Sequence, residues 1–126
     1  MEHGARVLIV DDHEQFRRAA AALVAGVDTS IVVDEAGSGE EAVRLVRSFA
    51  PDLILMDVHL GGMSGVEATR ALLADRPEVS VLLLSSYEPS ELPGDLLDCG
   101  AIAYVHKADL DPAVIRRALD RPRARR

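Results

Sequence analysis

Two neighbouring carboxylates, Asp11 and Asp12, end an apolar run near the start of the chain. Residues 7–10 read VLIV and lead directly into these two acids. Because adjacent carboxylates repel each other, either water screens them or a cation lies between them. Three later apolar runs also end in residues that could do chemistry, namely Asp57, Ser85 with Ser86, and His106 with Lys107.

Three carboxylates, a hydroxyl and an ammonium group would together suit phosphoryl transfer. Carboxylate oxygens favour a hard cation, most naturally Mg2+, which keeps several of its waters. A lysine and a hydroxyl beside it could contact the oxygens of a phosphoryl group. Asp57 could act as the nucleophile, because aspartyl phosphate is an established covalent intermediate.

The elements that must position these residues are five short apolar runs, at 6–10, 30–34, 52–56, 79–84 and 101–105. Their nearly continuous apolar character predicts strands buried on both faces of a parallel sheet. Segments with helical spacing lie between them, so we expect five strands and five helices in an α/β fold with right-handed crossovers. Ligands bind such sheets beyond the carboxyl ends of the strands. Asp34 ends the second run and Glu35 follows it, and both are expected at a sheet edge.

Capping residues predict where three helices begin. The S-x-x-E capping box satisfies backbone amides from both of its side chains, and an aspartate before a proline is typical of a helix start. These patterns occur at Ser38 with Glu41, Ser64 with Glu67, and Asp111 with Pro112.

The fourth helical segment, residues 88–99, is weaker than the others. Pro89 and Pro93 delay any helix there, and Gly100 is suited to end it. We expect this helix to be short or mobile.

Each candidate residue also has a purely structural interpretation. Asp12 could cap the first helix, Asp57 could occupy a turn, and Lys107 could be a solvated surface lysine. What favours the chemical interpretation is that all of these residues follow strands and meet at one end of the predicted sheet.

The composition is that of a single globular domain. The 126 residues carry a net charge of −7, with 48% apolar and 28% charged residues. The negative charge disfavours binding of nucleic acid or of an anionic membrane by the domain as a whole. The single cysteine, Cys99, excludes an internal disulfide. No stretch is typical of a signal peptide or a membrane span, so we expect a cytoplasmic protein.

Four segments carry a resemblance to a known family: VDD (10–12), PDLILMDVHLGGMSGVEATR (51–70), LLLSS (82–86) and GAIAYVHK (100–107). The sequence resembles the receiver domains of two-component response regulators, and most of all those of LuxR/NarL-type transcription factors. The resemblance covers essentially all of residues 5–120. It implies a flavodoxin-like, doubly wound (βα)5 fold whose five-stranded parallel sheet has the order 2-1-3-4-5. We expect a receiver domain at 1–120 and a basic tail or the start of a linker at 121–126.

The resemblance implies roles at the predicted site. Asp57 would accept a phosphoryl group from a histidine kinase. Asp12 and Asp57 would bind Mg2+ directly, and Asp11 would act largely through water. The backbone carbonyl of His59 would complete the protein ligands.

The resemblance also implies a switch. Lys107 and Ser85 would contact phosphoryl oxygens, and Tyr104 would turn inward as Ser85 moves. The domain would not be an enzyme beyond its own phosphorylation and dephosphorylation. Its output surface would be the fourth helix, fifth strand and fifth helix, or alternatively the first and fifth helices, with dimerisation on phosphorylation. DNA would be reached only through a C-terminal output domain that this chain does not contain.

Several positions depart from the family pattern. Gly61 and Ala108 stand where proline is usual, and the bond before residue 108 is often cis in the family. Ser86 replaces the usual alanine beside the switch hydroxyl. His59 and Tyr87 flank the site at variable positions, and we expect them to tune the lifetime of the phosphoryl group.

Other functions fit the sequence less well. A receiver-like module that binds partners without phosphorylation, or a stand-alone receiver, is the main alternative. A phosphatase of the haloacid dehalogenase kind would need D-x-D after the first strand, and a flavin-binding relative would need a phosphate-binding loop there. A transition-metal site at His13, His59 and His106 is disfavoured, because the helical H-x-x-x-H spacing is absent.

Overall fold

Five parallel strands form one sheet, and helices cover both of its faces. The structure, a computed structural model, describes residues 4–121. The strands are β1 (Arg6–Val10), β2 (Val32–Ala36), β3 (Leu53–Asp57), β4 (Ser80–Ser85) and β5 (Ala103–His106). Their order is β2-β1-β3-β4-β5, and every neighbouring pair is parallel. The predicted flavodoxin-like sheet and its strand order are therefore confirmed.

Within residues 4–121, four α-helices connect or follow the strands. They are α1 (Glu14–Val27), α2 (Gly39–Phe49), α3 (Gly65–Asp75) and α4 (Pro112–Asp120). Helices α1 and α4 pack together on one face of the sheet, and α2 and α3 pack together on the other.

The core has two layers because successive strand residues point to opposite faces of the sheet. In β1, Leu8 and Val10 join the layer under α2 and α3, whereas Val7 and Ile9 join the layer under α1 and α4. The residues of β3 and β4 are buried throughout. This burial on both faces accounts for the continuous apolar runs in the sequence.

The expected fourth helix did not form, so the prediction of five helices is wrong for the described residues. Two short 3-10 turns, Pro89–Glu91 and Leu96–Cys99, occupy the segment instead. Pro93 restricts the start of a helix, and Gly100, at a φ of 104°, ends the second turn. The residues between Pro93 and Gly100 are too few to offset the unfavourable free energy of helix nucleation.

The boundaries of the second strand also differ from the prediction. Asp34 and Glu35 lie inside β2 rather than after it. As predicted, β2 lies at the edge of the sheet. Alternate residues of an edge strand can face water, so the strand tolerates these acids within its length.

The capping predictions are largely confirmed. Ser64 and Glu67 form a complete capping box, and the Asp111 side chain accepts from the amide of Val114 at the start of α4. Ser38 accepts from the amide of Glu41, but the Glu41 carboxylate accepts from Gly37 instead of completing the box. Helix α1 is preceded by His13 as its N-cap residue, so the alternative role of Asp12 as the cap is wrong.

No helix among residues 4–121 is long and apolar enough to cross a membrane. Of the predicted basic tail at 121–126, all but Arg121 lies outside the described residues.

Candidate functional site

The candidate site lies at the carboxyl edge of the sheet, where the sequence predicts it. Asp11 directly follows β1, Asp57 ends β3, Ser85 ends β4, and Lys107 directly follows β5. Because the strands are parallel, these positions meet at one edge. Asp11, Asp57 and Ser85 are buried, and Lys107 is largely buried.

Asp57 is the central carboxylate, and only 3% of the residue is exposed. Its Oδ1 accepts from the backbone amide of His59 at 3.2 Å. Burial raises the pKa of Asp57 above its ordinary value, and the negative charge of Asp11 adds to this effect. The ammonium of Lys107 acts in the opposite direction and favours the charged carboxylate.

Close backbone packing fixes the chain around Asp57. A Cβ atom at Gly65 would lie 2.0 Å from the carbonyl oxygen of Asp57. The amide of Gly65 donates to the carbonyl of Val58 at 3.0 Å. Only glycine allows the start of α3 to approach the end of β3 so closely.

Asp11 is fully buried and held through both of its carboxylate oxygens. Oδ2 lies 2.6 Å from the Nζ of Lys107, and Oδ1 accepts from the backbone amide of His13 at 2.8 Å. Its carbonyl oxygen accepts from Nη1 of Arg17 at 2.7 Å. These contacts fix the buried carboxylate next to Asp57.

Lys107 connects the two buried carboxylates. Its Nζ lies 2.6 Å from Oδ2 of Asp11 and 3.7 Å from Oδ2 of Asp57. It also lies 4.3 Å from the centre of the Phe16 ring, so a cation–π contact from α1 helps to hold the ammonium in place. The Lys107–Ala108 peptide bond, whose state the sequence leaves open, is trans.

Four side chains could supply ligands to one metal ion: Asp11, Asp12, His13 and Asp57. One ligand atom from each lies within 4.8 Å of the others. The three carboxylates bring more negative charge than Lys107 neutralises, and their oxygens are the donors that Mg2+ prefers. The donor set therefore fits the predicted Mg2+. A role for the His59 carbonyl stays a prediction.

The predicted switch residues are linked by hydrogen bonds in the loop after β4. The Ser85 hydroxyl is buried and accepts from the amide of Tyr87 at 3.0 Å. The Tyr104 hydroxyl donates to the carbonyl oxygens of Tyr87 and Ser85. Tyr87 also contacts the His59 ring edge to face, with 4.6 Å between the ring centres. Ser85, Tyr104 and the two flanking positions thus form one continuous set of contacts.

Two of the positions that depart from the family pattern, Gly61 and Ser86, are spatially uncrowded. Nothing lies within 4 Å of a Cβ atom built at Gly61, and Ser86 is exposed. Neither residue is therefore packed against the buried carboxylates.

Two contributors to the site, Phe16 and Gly65, were missed from the sequence, and a third, His13, was considered only as part of a disfavoured transition-metal site. Phe16 contacts Lys107, Gly65 allows the close approach to Asp57, and His13 joins the carboxylate cluster. The glycine between Ser64 and Val66 was a usable signal, because glycine within the first turn of a helix needs a packing reason. The ring of Phe16 gave no such signal, since its spacing is that of an ordinary core residue.

Comparison with known proteins identifies the family. The model described as "Response regulator receiver domain" matches residues 7–120. The chain belongs to this family. The receiver is 41% identical over 102 residues to the response regulator GacA of Pseudomonas viridiflava, an alignment that covers 81% of the chain and 48% of GacA.

Solved structures agree with this assignment. A LuxR-family two-component response regulator from Aurantimonas sp. SI85-9A1 aligns with a TM-score of 0.83 and 32% identity, over 97% of the receiver and 89% of that chain. The signal receiver domain of NarL from Mycobacterium tuberculosis aligns with a TM-score of 0.80 and 28% identity, over 95% and 100% of the two chains. The predicted similarity to LuxR/NarL-type receivers is confirmed. The receiver spans about half the length of the curated relatives that it matches.

Proposed function

We propose that this receiver accepts a phosphoryl group on Asp57 from a histidine kinase and changes the surface around β5 in response. The observation that carries the proposal is the position of Lys107, whose Nζ lies 2.6 Å from Asp11 and 3.7 Å from Asp57. This arrangement places a carboxylate nucleophile beside a cation that can pair with phosphoryl oxygens.

The chemistry transfers one phosphoryl group between the two proteins. A carboxylate oxygen of Asp57 forms a bond to phosphorus as the bond to the kinase histidine breaks, and the electron pair of that bond returns to the imidazole. Lys107 favours the ionised form of Asp57 and is close enough to pair with the transferred group after a small shift. The Ser85 hydroxyl would leave the amide of Tyr87 to bind a second oxygen.

Asp12 and Asp57 would hold Mg2+ together with the carbonyl of His59, and Asp11 would act largely through water. The bound cation would neutralise negative charge on the transferring phosphoryl group. Asp12 is partly exposed, so its carboxylate can adjust to the ion, whereas Asp11 and Asp57 are buried and fixed.

The response would pass from Ser85 to Tyr104 and to the segment between β4 and β5. Loss of the bond from the Tyr87 amide to Ser85 would release a loop that Tyr104 also contacts. Dimerisation through this surface, and DNA binding through an output domain elsewhere in the full protein, are the outputs that we propose. The proposal of DNA binding is supported by relatives that are named as transcriptional regulators, such as LiaR of Bacillus subtilis.

Intact mass spectrometry tests the phosphorylation directly. The purified chain would be incubated with Mg2+ and acetyl phosphate, beside Asp57→Ala and a magnesium-free sample. Asp95→Ala is the matched control, because Asp95 is exposed and lies in the segment between β4 and β5. We expect one added phosphoryl group in the wild type and in Asp95→Ala, and none in the other two samples. Absence of the adduct from all samples would instead favour a module that binds partners without phosphorylation.

A further inference from the structure

His13 lies among the carboxylates of the candidate metal site. Its Nδ1 is 3.0 Å from Oδ1 of Asp11 and 3.1 Å from Oδ1 of Asp12. Together with Asp57, these residues form the one cluster in residues 4–121 whose ligand atoms are close enough to share an ion. The donor set of this chain is therefore mixed, with an imidazole nitrogen beside carboxylate oxygens.

The local backbone directs the His13 ring towards the acids, where its Nδ1 shares a hydrogen bond with Oδ1 of Asp11 at 3.0 Å. The amide of His13 donates to Oδ1 of Asp11 at 2.8 Å, which holds the residue directly over the buried carboxylate. His13 is the N-cap residue of α1, yet its side chain makes no capping hydrogen bond. The side chain is 71% exposed, so rotation of the ring meets little resistance.

The spacing is compatible with ligation after a small contraction. Two ligands that each lie about 2.1 Å from one ion are at most about 4.2 Å apart. The four ligand atoms lie within 4.8 Å of one another. Asp12 and His13 are the exposed members, so they can supply the required movement while Asp11 and Asp57 stay fixed.

Lys107 does not occupy the carboxylate oxygen of Asp11 that His13 faces. It pairs with Oδ2 of Asp11, whereas His13 faces Oδ1 of the same carboxylate. The ammonium and the imidazole therefore occupy opposite oxygens of Asp11 and do not compete for one position.

We propose that His13 is a metal ligand that shifts the ion preference of this receiver from Mg2+ towards later divalent transition ions such as Co2+. The proposal rests on the metal site of the proposed function. Imidazole nitrogen binds first-row transition ions well, whereas Mg2+ strongly prefers oxygen. His13 therefore adds affinity for transition ions and little affinity for Mg2+. The sequence disfavours a histidine site because no second histidine is suitably spaced, but here the partners of His13 are carboxylates.

Two measurements on the full chain near pH 7.5 test this role. The first is calorimetric titration with Co2+ and, separately, with Mg2+. The second is pulsed electron paramagnetic resonance of the Mn2+-loaded protein, which detects a coordinated imidazole nitrogen. The variants are His13→Ala, His13→Asn and the control Asp95→Ala, which removes an exposed carboxylate outside the cluster. His3 is retained throughout, so any ion that it binds is a common background.

We expect His13→Ala and His13→Asn to weaken Co2+ binding by roughly tenfold or more, as loss of a group that supports a metal site commonly does. Mg2+ binding should change less than about twofold, which also shows that the variants are folded. The imidazole nitrogen signal should disappear in both His13 variants and persist in Asp95→Ala. An unchanged nitrogen signal, or equal changes in Co2+ and Mg2+ affinity, would overturn the proposal. Asp57 phosphorylation with Mg2+ is measured separately, so failure of the proposed function would be recognised as a different result.

Discussion

The carboxylates of Asp11 and Asp57 are buried beside central strands, whereas residues 86–99, in the connection from β4 to β5, are almost entirely exposed. Asp11 and Asp57 are held by backbone amides, by Lys107 and by the close approach of Gly65. The connecting segment buries only Leu96 and Cys99 and has two 3-10 turns in place of a helix. One region is therefore suited to hold a reactive geometry and the other to change its conformation at low cost.

The link between the two regions is narrow. It includes hydrogen bonds of the Ser85 hydroxyl, the Tyr87 backbone and the Tyr104 hydroxyl, together with the ring contact between Tyr87 and His59. A change at the rigid site can reach the exposed segment through these bonds without rearranging the sheet.

The largest expected effect comes from removing the close packing at Gly65. Gly65→Ala would place a methyl group 2.0 Å from the carbonyl oxygen of Asp57, so the end of β3 must shift. We expect the free energy of unfolding to fall by about 3 kcal/mol, in the range of severe overpacking. Urea denaturation measures this change. Gly26→Ala is the control, because nothing lies within 4 Å of its added carbon, and equal stability of the two variants would contradict the rigid packing.

The second prediction concerns the buried charge of Asp57 in the absence of metal. Its pKa is raised above the ordinary value of 3.8, so the folded state retains a proton that the unfolded chain has lost. Stability is therefore lost as the pH rises through the folded-state pKa. Asp57→Asn should be more stable than the wild type at neutral pH, and the gain should shrink on acidification.

Asp28 provides a control for this experiment, because its pKa is shifted in the opposite direction to that of Asp57. Hydrogen bonds from Ser30 lower the pKa of this exposed carboxyl below its ordinary value. Its stabilising contribution is present above the unfolded-state pKa and is lost as the pH falls through the folded-state pKa. Asp28→Asn should therefore not stabilise the protein at neutral pH. Equal pH dependence of the Asp57 and Asp28 variants would mean that burial does not distinguish the two carboxylates.

A smaller effect is expected from the Phe16 ring beneath Lys107. Phe16→Leu keeps an apolar side chain but removes the cation–π contact at 4.3 Å. Such contacts contribute about 0.5–1 kcal/mol at partly exposed sites, so we expect the phosphorylation rate with acetyl phosphate to fall about two- to fivefold. Phe16→Tyr keeps the ring and should react at nearly the wild-type rate. If both variants slow equally, the ring does not position Lys107.

The smallest expected effect is a change in amide hydrogen exchange between β4 and β5 when an analogue of the phosphoryl group binds. Amide hydrogen exchange should be much faster at residues 88–99 than in β3, because most of the segment is exposed. Binding of beryllofluoride, an analogue of the phosphoryl group, should alter exchange at residues 86–99 and leave β3 unchanged. Identical exchange in the segment with and without the analogue would rule out this route for the response.

The sequence predicted the rigid region better than the exposed one, for physical reasons. Continuous apolar runs must be buried strands, and their ends had to meet at one edge, so the positions of Asp11, Asp57 and Lys107 followed. Segment 88–99 was predicted as a short or mobile helix, but its prolines and its terminal glycine leave too little room for one. The contact of Phe16 with Lys107 depends on how α1 packs against the site, which local spacing does not reveal.

Chemical mapping of the phosphoryl group tests the central claim most directly. The phosphorylated chain would be reduced with borohydride, which converts an aspartyl phosphate to homoserine, and then digested and sequenced by mass spectrometry. We predict the reduced residue at position 57 alone, because Asp57 is the carboxylate that Lys107 and the His59 amide orient within the buried site. Reduction at Asp12 or at another carboxylate, with residue 57 unmodified, would contradict the account.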